Sequence, residues 1–163
     1  MGTIFFIGDT HFGHEKLITG GIGTRSHFKS VEEHDETIIK NWNDRVKSKD
    51  VVYHLGDVSF GNVELLTRLK GDKKLIMGNH DRFNRLAQYF TNFYGAKILH
   101  GFMLTHIPVH YCELEYRFKK NIHGHMHEKV VLFNDKPDSR YINVSCEQIN
   151  YTPIALEEIT DVL

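Results

Sequence analysis

Thr3-Ile4-Phe5-Phe6-Ile7-Gly8-Asp9-Thr10-His11 is a short apolar run that ends in a glycine, a carboxylate and an imidazole. A run this brief, bounded by glycine, fits a buried strand and is too short for a helix. The pattern recurs: Val51–Leu55 runs into Gly56 and Asp57, Lys74–Met77 into Gly78, Asn79 and His80, and Gly101–Thr105 into His106. Four strands therefore deliver chemistry-bearing side chains to their carboxyl ends, where ligand sites lie in open α/β sheets. Further along, Gly124-His125-Met126-His127 sets two imidazoles two residues apart, and on an extended segment these face the same way. Glycine ahead of such groups lets the backbone turn sharply beside a crowded centre.

Helical patterns fill the gaps. Ser30 and Glu33 form a capping box ahead of Ile38, Ile39, Trp42 and Val46. Leu65, Leu66 and Leu69 have helical spacing and stop at Gly71, and Phe83, Leu86 and Phe90 suggest a third helix. In the last third, Asn121–His123, Val130–Asn134, Arg140–Val144 and Pro153–Ile159 read as strands, so a βαβ-like first half is expected to meet a β-meander. The expectation is one α/β domain over residues 1–163, with two sheets packed together. Gly20-Gly21-Ile22-Gly23 reads as a connection rather than a phosphate cradle, because no Lys-Ser/Thr follows it.

The 163 residues are 40% hydrophobic and 25% charged with a formal net charge of −1, which gives no bulk attraction to nucleic acid or anionic membrane. Cys112 and Cys146 lack the spacing of a thiolate zinc site or a disulfide framework and read as free thiols of a reducing compartment. No signal peptide, myristoylation pattern or bilayer-length apolar run is visible, so a soluble cytoplasmic protein is expected. Twelve histidines are the compositional feature that points to chemistry.

Carboxylate, amide and imidazole donors without thiolates suit manganese, iron, cobalt, nickel or zinc in a catalytic setting. Seven such donors exceed one tetrahedral zinc and suit two ions sharing a carboxylate, a pair that can clamp both oxygens of a displacement at phosphorus. The ordered set Asp9-Thr10-His11, Gly56-Asp57, Gly78-Asn79-His80-Asp81, His106 and Gly124-His125-Met126-His127 resembles the calcineurin-like metallophosphoesterases. The resemblance implies a four-layer αββα sandwich and two divalent transition-metal ions, manganese foremost. Asp9, His11, Asp57 and His127 would hold the first, and Asp57, Asn79, His106 and His125 the second. It further implies attack on phosphorus by a hydroxide shared between the ions, with His80 protonating the leaving oxygen and Asp81 orienting His80.

Finer features, Gly13-His14-Glu15, Asn41-Trp42-Asn43 and Tyr53-His54-Leu55, resemble small phosphoesterases of bacteria and phages, while Arg25-Ser26-His27-Phe28 matches their Arg-Pro-Phe stretch only loosely. The Asp-Arg-Gly of Ser/Thr protein phosphatases is replaced by Val58-Ser59-Phe60-Gly61. Beyond the core set, several readings stay open. Asp81 has a second candidate role as a helix N-cap. His14, Arg82 and His110 are candidates to contact substrate, with loop or solvated surface as the alternative. Tyr111, Tyr116 and Phe118 have the chemistry to stack a nucleobase or simply to pack. His54 reads as a buried strand residue, and His27, His34 and His100 as surface residues. The expected substrate is a small phosphoester, with nucleotide or cyclic-nucleotide diesters ahead of monoesters and nucleic acid third. The competing class is a protein-binding platform like the retromer subunit of this fold, but here every ligand position is filled and His80 is present.

Overall fold

The computed structural model describes residues 2–20 and 25–160, so most of the glycine-rich connection expected at 20–23 lies outside the described residues. In chain order the first strands are β1 (Ile4–Ile7), β2 (Val51–His54), β3 (Asp72–Ile76), β4 (Asn92–Tyr94), β5 (Ala96–Leu99) and β6 (Phe102–Thr105). The remainder are β7 (Asn121–His123), β8 (Leu132–Phe133), β9 (Lys136–Pro137), β10 (Tyr141–Asn143) and β11 (Ile154–Ala155). The helices are α1 (Glu15–Thr19), α2 (Val31–Arg45), α3 (Phe83–Leu86) and α4 (Leu156–Thr160). One sheet has the order β11-β1-β2-β3-β4, parallel except for β11. The other has the order β10-β7-β6-β5, parallel except for the β5–β6 hairpin, and β8–β9 form a separate hairpin.

Alternation along the strands builds two cores. Phe5, Ile7, Val52 and Leu75 face helix α2 and pack against Ile38, Ile39, Trp42 and Val46. Phe6, Tyr53, Leu55 and Ile76 turn the other way and meet Phe102, Leu104, Ile122 and Val144 of the second sheet. Strands buried on both faces are why these runs read as continuously apolar. Two mixed sheets thus pack face to face between helical segments, the αββα order. Its outer layer over the second sheet includes the 3₁₀ turn Tyr111–Leu114 and the segment before it, pinned where Tyr141 Oη donates to Val109 O (2.8 Å) and Asn121 Oδ1 accepts from Val109 N (3.1 Å).

Helix α2 starts where the capping pattern places it. Ser30 accepts from Glu33 N, and Glu33 reaches back to Lys29 N. Elsewhere the elements differ from the sequence reading. Val63–Arg68 is a 3₁₀ helix, and the third helix closes after Leu86. Pro153–Ile159 was expected as a strand, but only Ile154–Ala155 pairs and α4 follows. Glu157 and Glu158 in the first turn of α4 suit a helix N-terminus, and Glu158 accepts from Ala155 N and pairs with Arg45. The expected meander is likewise corrected: β6, β7 and β10 lie parallel, so the chain crosses over between them.

One crossover positions the site. After β10 the chain clasps the end of β1: Gly8 N donates to Val144 O, and Cys146 N donates to Gly8 O. Residues 144–147 are thereby brought beside Asp9. Among the described residues no helix is long and apolar enough to cross a membrane. Trp42 is fully buried and its indole donates to Lys70 O, so Trp42→Ala should cost about 3–5 kcal/mol in urea unfolding. A loss under about 1 kcal/mol would contradict the packing of α2 described above.

Candidate metal centre

Seven residues from the ends of β1, β2, β3, β6 and the segment after β7 converge. Asp9 Oδ1 lies 3.8 Å from His11 Nε2 and 4.0 Å from His127 Nε2. Asp57 Oδ2 lies 3.8 Å from His11 Nε2 and 3.5 Å from His106 Nε2. His106 Nε2 is in turn 3.0 Å from Asn79 Oδ1 and 3.3 Å from His125 Nδ1. Asp9, His11 and His127 form one group able to hold an ion, and Asp57, His106 and His125 form a second.

The backbone that presents them is unusual. Asp9, His11, Asp57, His125 and His127 all have φ between +48° and +68°, a left-handed region that non-glycine residues enter at a cost and keep only where the surroundings fix them. The fixing contacts are visible. Arg25 donates to the carbonyls of Asp9 and Thr10. Asp57 N donates to Asp81 Oδ2 and His125 N to Asp9 Oδ2, while Asn143 and Gln148 both hold His127 O. Any side chain at Gly78 would strike the Asp57 carboxylate, and one at Gly124 would strike that of Asp9.

The donors fit divalent metal. Asp9 Oδ1 and His11 Nε2 are buried without a hydrogen-bond partner among the described residues. Such desolvated lone pairs are costly unless a cation engages them. Burial alone would raise the Asp57 carboxyl, but the His106 imidazole, the His80 amide and the His11 imidazole together outweigh it and hold it down at about 2. Burial pushes His11 and His125 down, toward the neutral form that binds metal. Burial would also push His106 and His127 down, but Asp57, Asp9 and Leu55 O around His106, and Glu147 and Asp9 around His127, overcome it and both move up. His106 Nδ1 lies 2.6 Å from Leu55 O, an acceptor, so Nδ1 carries the proton and Nε2 is left for a metal.

The other expected residues fare differently. His80 is exposed at the mouth, its backbone N donating to Asp57 Oδ1. Asp81 does not orient His80 as expected: its carboxylate accepts from the amides of Asp57, Val58 and Gly78 and so shapes the loops around Asp57. Nor does it cap α3, whose N-cap is Arg82. His14 reaches the site, 3.1 Å from His11 Nδ1, and burial and its histidine neighbour lower it to about 4. Arg82 is exposed, two residues beyond His80. His110 is exposed and caps the turn at Tyr111–Leu114. His54 is buried against Thr10 as expected, whereas His34, expected at the surface, is buried beside Arg25.

Sequence reasoning missed Ser145, whose hydroxyl donates to Asp9 Oδ2, and Glu147, which contacts His127. It also missed Phe60, stacked 4.0 Å from His14 and 4.9 Å from His11, with His80 at 4.8 Å. None carries a linear signal; the β10 crossover and the Val58–Gly61 turn bring them in.

The two-sheet α/β fold thus carries two His/Asp groups, each able to hold an ion, at its strand ends. Residues 3–145 match the model of the calcineurin-like phosphoesterase superfamily domain, and the chain belongs to that superfamily. It is similar to an uncharacterized protein of Methanocaldococcus jannaschii, 38% identical over 100% of this chain and 92% of that one. It is also similar to the gene 66 protein of Mycobacterium phage L5, 30% identical over 81% of each. The crystal structure of a protein of unknown function from Aquifex aeolicus superposes with a TM-score of 0.78 at 28% identity, covering 100% of both chains.

Asp57→Asn should weaken binding of divalent metal to both groups by about a hundredfold or more, above the usual cost of losing an outer-shell partner. Calorimetric titration checks this, and loss of one binding step alone would contradict a shared carboxylate. Protons compete with metal for imidazole, and His106 and His127 hold protons above the ordinary value of 6.5. Metal affinity should therefore begin to fall on acidification while the pH is still above that value. An affinity flat through this range would contradict the imidazole donors.

Proposed function

We propose that this protein hydrolyses phosphodiesters, with nucleotides or cyclic nucleotides as the substrate class, at a centre of two divalent transition-metal ions, manganese foremost. The observation that carries the reading is Asp57 Oδ2, which faces His11 Nε2 and His106 Nε2 at once. Asp9, His11, Asp57 and His127 would hold one ion, and Asp57, Asn79, His106 and His125 the other. When bound, such a pair supplies Lewis acidity and a water ionised at neutral pH for in-line attack on phosphorus.

The remaining work falls to side chains. His80 is exposed next to Asn79, and its backbone is tied to the Asp57 carboxylate; both features support the reading that its imidazole gives a proton to the departing oxygen. Asp81 contributes by fixing the backbone at Asp57 and Gly78. Phe60 walls one side of the mouth and holds His14 against His11. Asn79 and His80 both reach solvent, which leaves room for the second ester arm of a diester and is the reason diesters are placed ahead of monoesters.

His80→Ala should keep metal binding and lose about a hundred- to ten-thousandfold in turnover of a nucleoside diester, whose alkoxide must be protonated to leave. The same variant should lose far less on a bis-nitrophenyl diester, whose phenolate departs unaided. Equal losses on both substrates would contradict general acid catalysis by His80. A wild-type preference for nitrophenyl monoester over diester would overturn the diester assignment.

A further inference from the structure

Glu147 lies in no strand, yet its carboxylate joins two halves of the centre. Oε1 accepts from Arg25 Nε at 2.8 Å and from His127 Nδ1 at 2.9 Å. Arg25 is fully buried, and its other nitrogens reach Thr10 O, Asp9 O and His34 Nε2. His34 is bonded through Nδ1 to Asp35 Oδ1, and the Asp35 carboxylate accepts from Gly13 N. An unbroken hydrogen-bonded chain thus runs from the His127 ring to the loop that carries Asp9 and His11.

The donor and acceptor roles follow from chemistry. A guanidinium can only donate, so His34 Nε2 accepts and Nδ1–H donates to Asp35. An ionised carboxylate can only accept, so His127 donates to Glu147 through Nδ1–H. The lone pair of neutral His127 is then on Nε2, the atom 4.0 Å from Asp9 Oδ1. His106 reaches the same state through a backbone carbonyl, which no substitution of its own residue removes. The His127 ring depends on a side chain instead.

We propose that Glu147, anchored by Arg25, is the positioning residue of the first ion site: it fixes the ring and tautomer of His127, so that Asp9, His11 and His127 are arranged before an ion arrives. This rests on the reading of those three residues as an ion site. Partners of this kind orient a ligating imidazole and raise its basicity.

Two measurements test it. In metal-free wild-type protein at alkaline pH, nitrogen NMR should find His127 with its proton on Nδ1 and a bare Nε2; the opposite tautomer would overturn the proposal without any variant having to fold. In titration with manganese(II) alone, Glu147→Ala should weaken one of two binding steps by about ten- to hundredfold and leave the other unchanged. Glu147→Gln, which can still accept from Nδ1, should fall between Glu147→Ala and wild type. Two steps as tight in Glu147→Ala as in wild type would overturn the role of Glu147 alone. A wild type lacking one of the two steps would overturn the ion site itself and the proposal with it.

Discussion

Asp57 Oδ2 sits between two imidazole nitrogens, 3.8 Å from His11 Nε2 and 3.5 Å from His106 Nε2, in a region almost closed to water. A charged oxygen taken out of water needs partners of high quality, and much of the surrounding chain serves to provide them. The other Asp57 oxygen accepts from His80 N. Its backbone amide is held by Asp81, which also holds the neighbouring amides of Val58 and Gly78. The close approach of β3 to this carboxylate requires glycine at position 78. Moving Asp57 would therefore disturb the ends of β2, β3 and β6 together.

The same logic explains the strained backbone. Five of the converging residues adopt left-handed φ, a local cost that a fold keeps where the geometry has a use. Arg25, Asn143 and Gln148 donate to the carbonyls of this backbone and the Asp81 carboxylate accepts from the Asp57 amide, each from a segment remote in sequence. The clasp of residues 144–146 around Gly8 adds to this by bringing Ser145 to Asp9 and Glu147 to His127. The site thus sits at the end of β1, a strand packed into an apolar core on either face.

Much of this was legible in the chain. The strands ending in Gly8-Asp9, Gly56-Asp57, Gly78-Asn79 and Thr105-His106 could be read because a doubly buried strand is a continuous apolar run, and strand ends are where polar groups collect. Helix α2 could be read because Ser30 and Glu33 mark its start. Strands β4 and β5 escaped, because Asn92–Tyr94 and Ala96–Leu99 are short and partly exposed. Helix α4 reads as strand in the sequence because the apolar residues of Pro153–Ile159 satisfy either period over so short a span. At the site, the converging donors followed from their repeated position, but the partner of each donor did not. Asp81 follows His80 in the chain yet turns to backbone amides, and Glu147 comes 20 residues after His127 yet touches it. Such pairings are made by tertiary crossings, which leave no periodicity to find.

The proposed function turns on one carboxylate, that of Asp57, serving two ions. Anomalous diffraction from crystals of the wild-type protein equilibrated with manganese tests it directly. Two peaks about 3.5–4 Å apart are expected, one among Asp9, His11 and His127 and one among Asn79, His106 and His125, with Asp57 touching both. A single peak at full manganese saturation, or two peaks of which only one contacts Asp57, would contradict it.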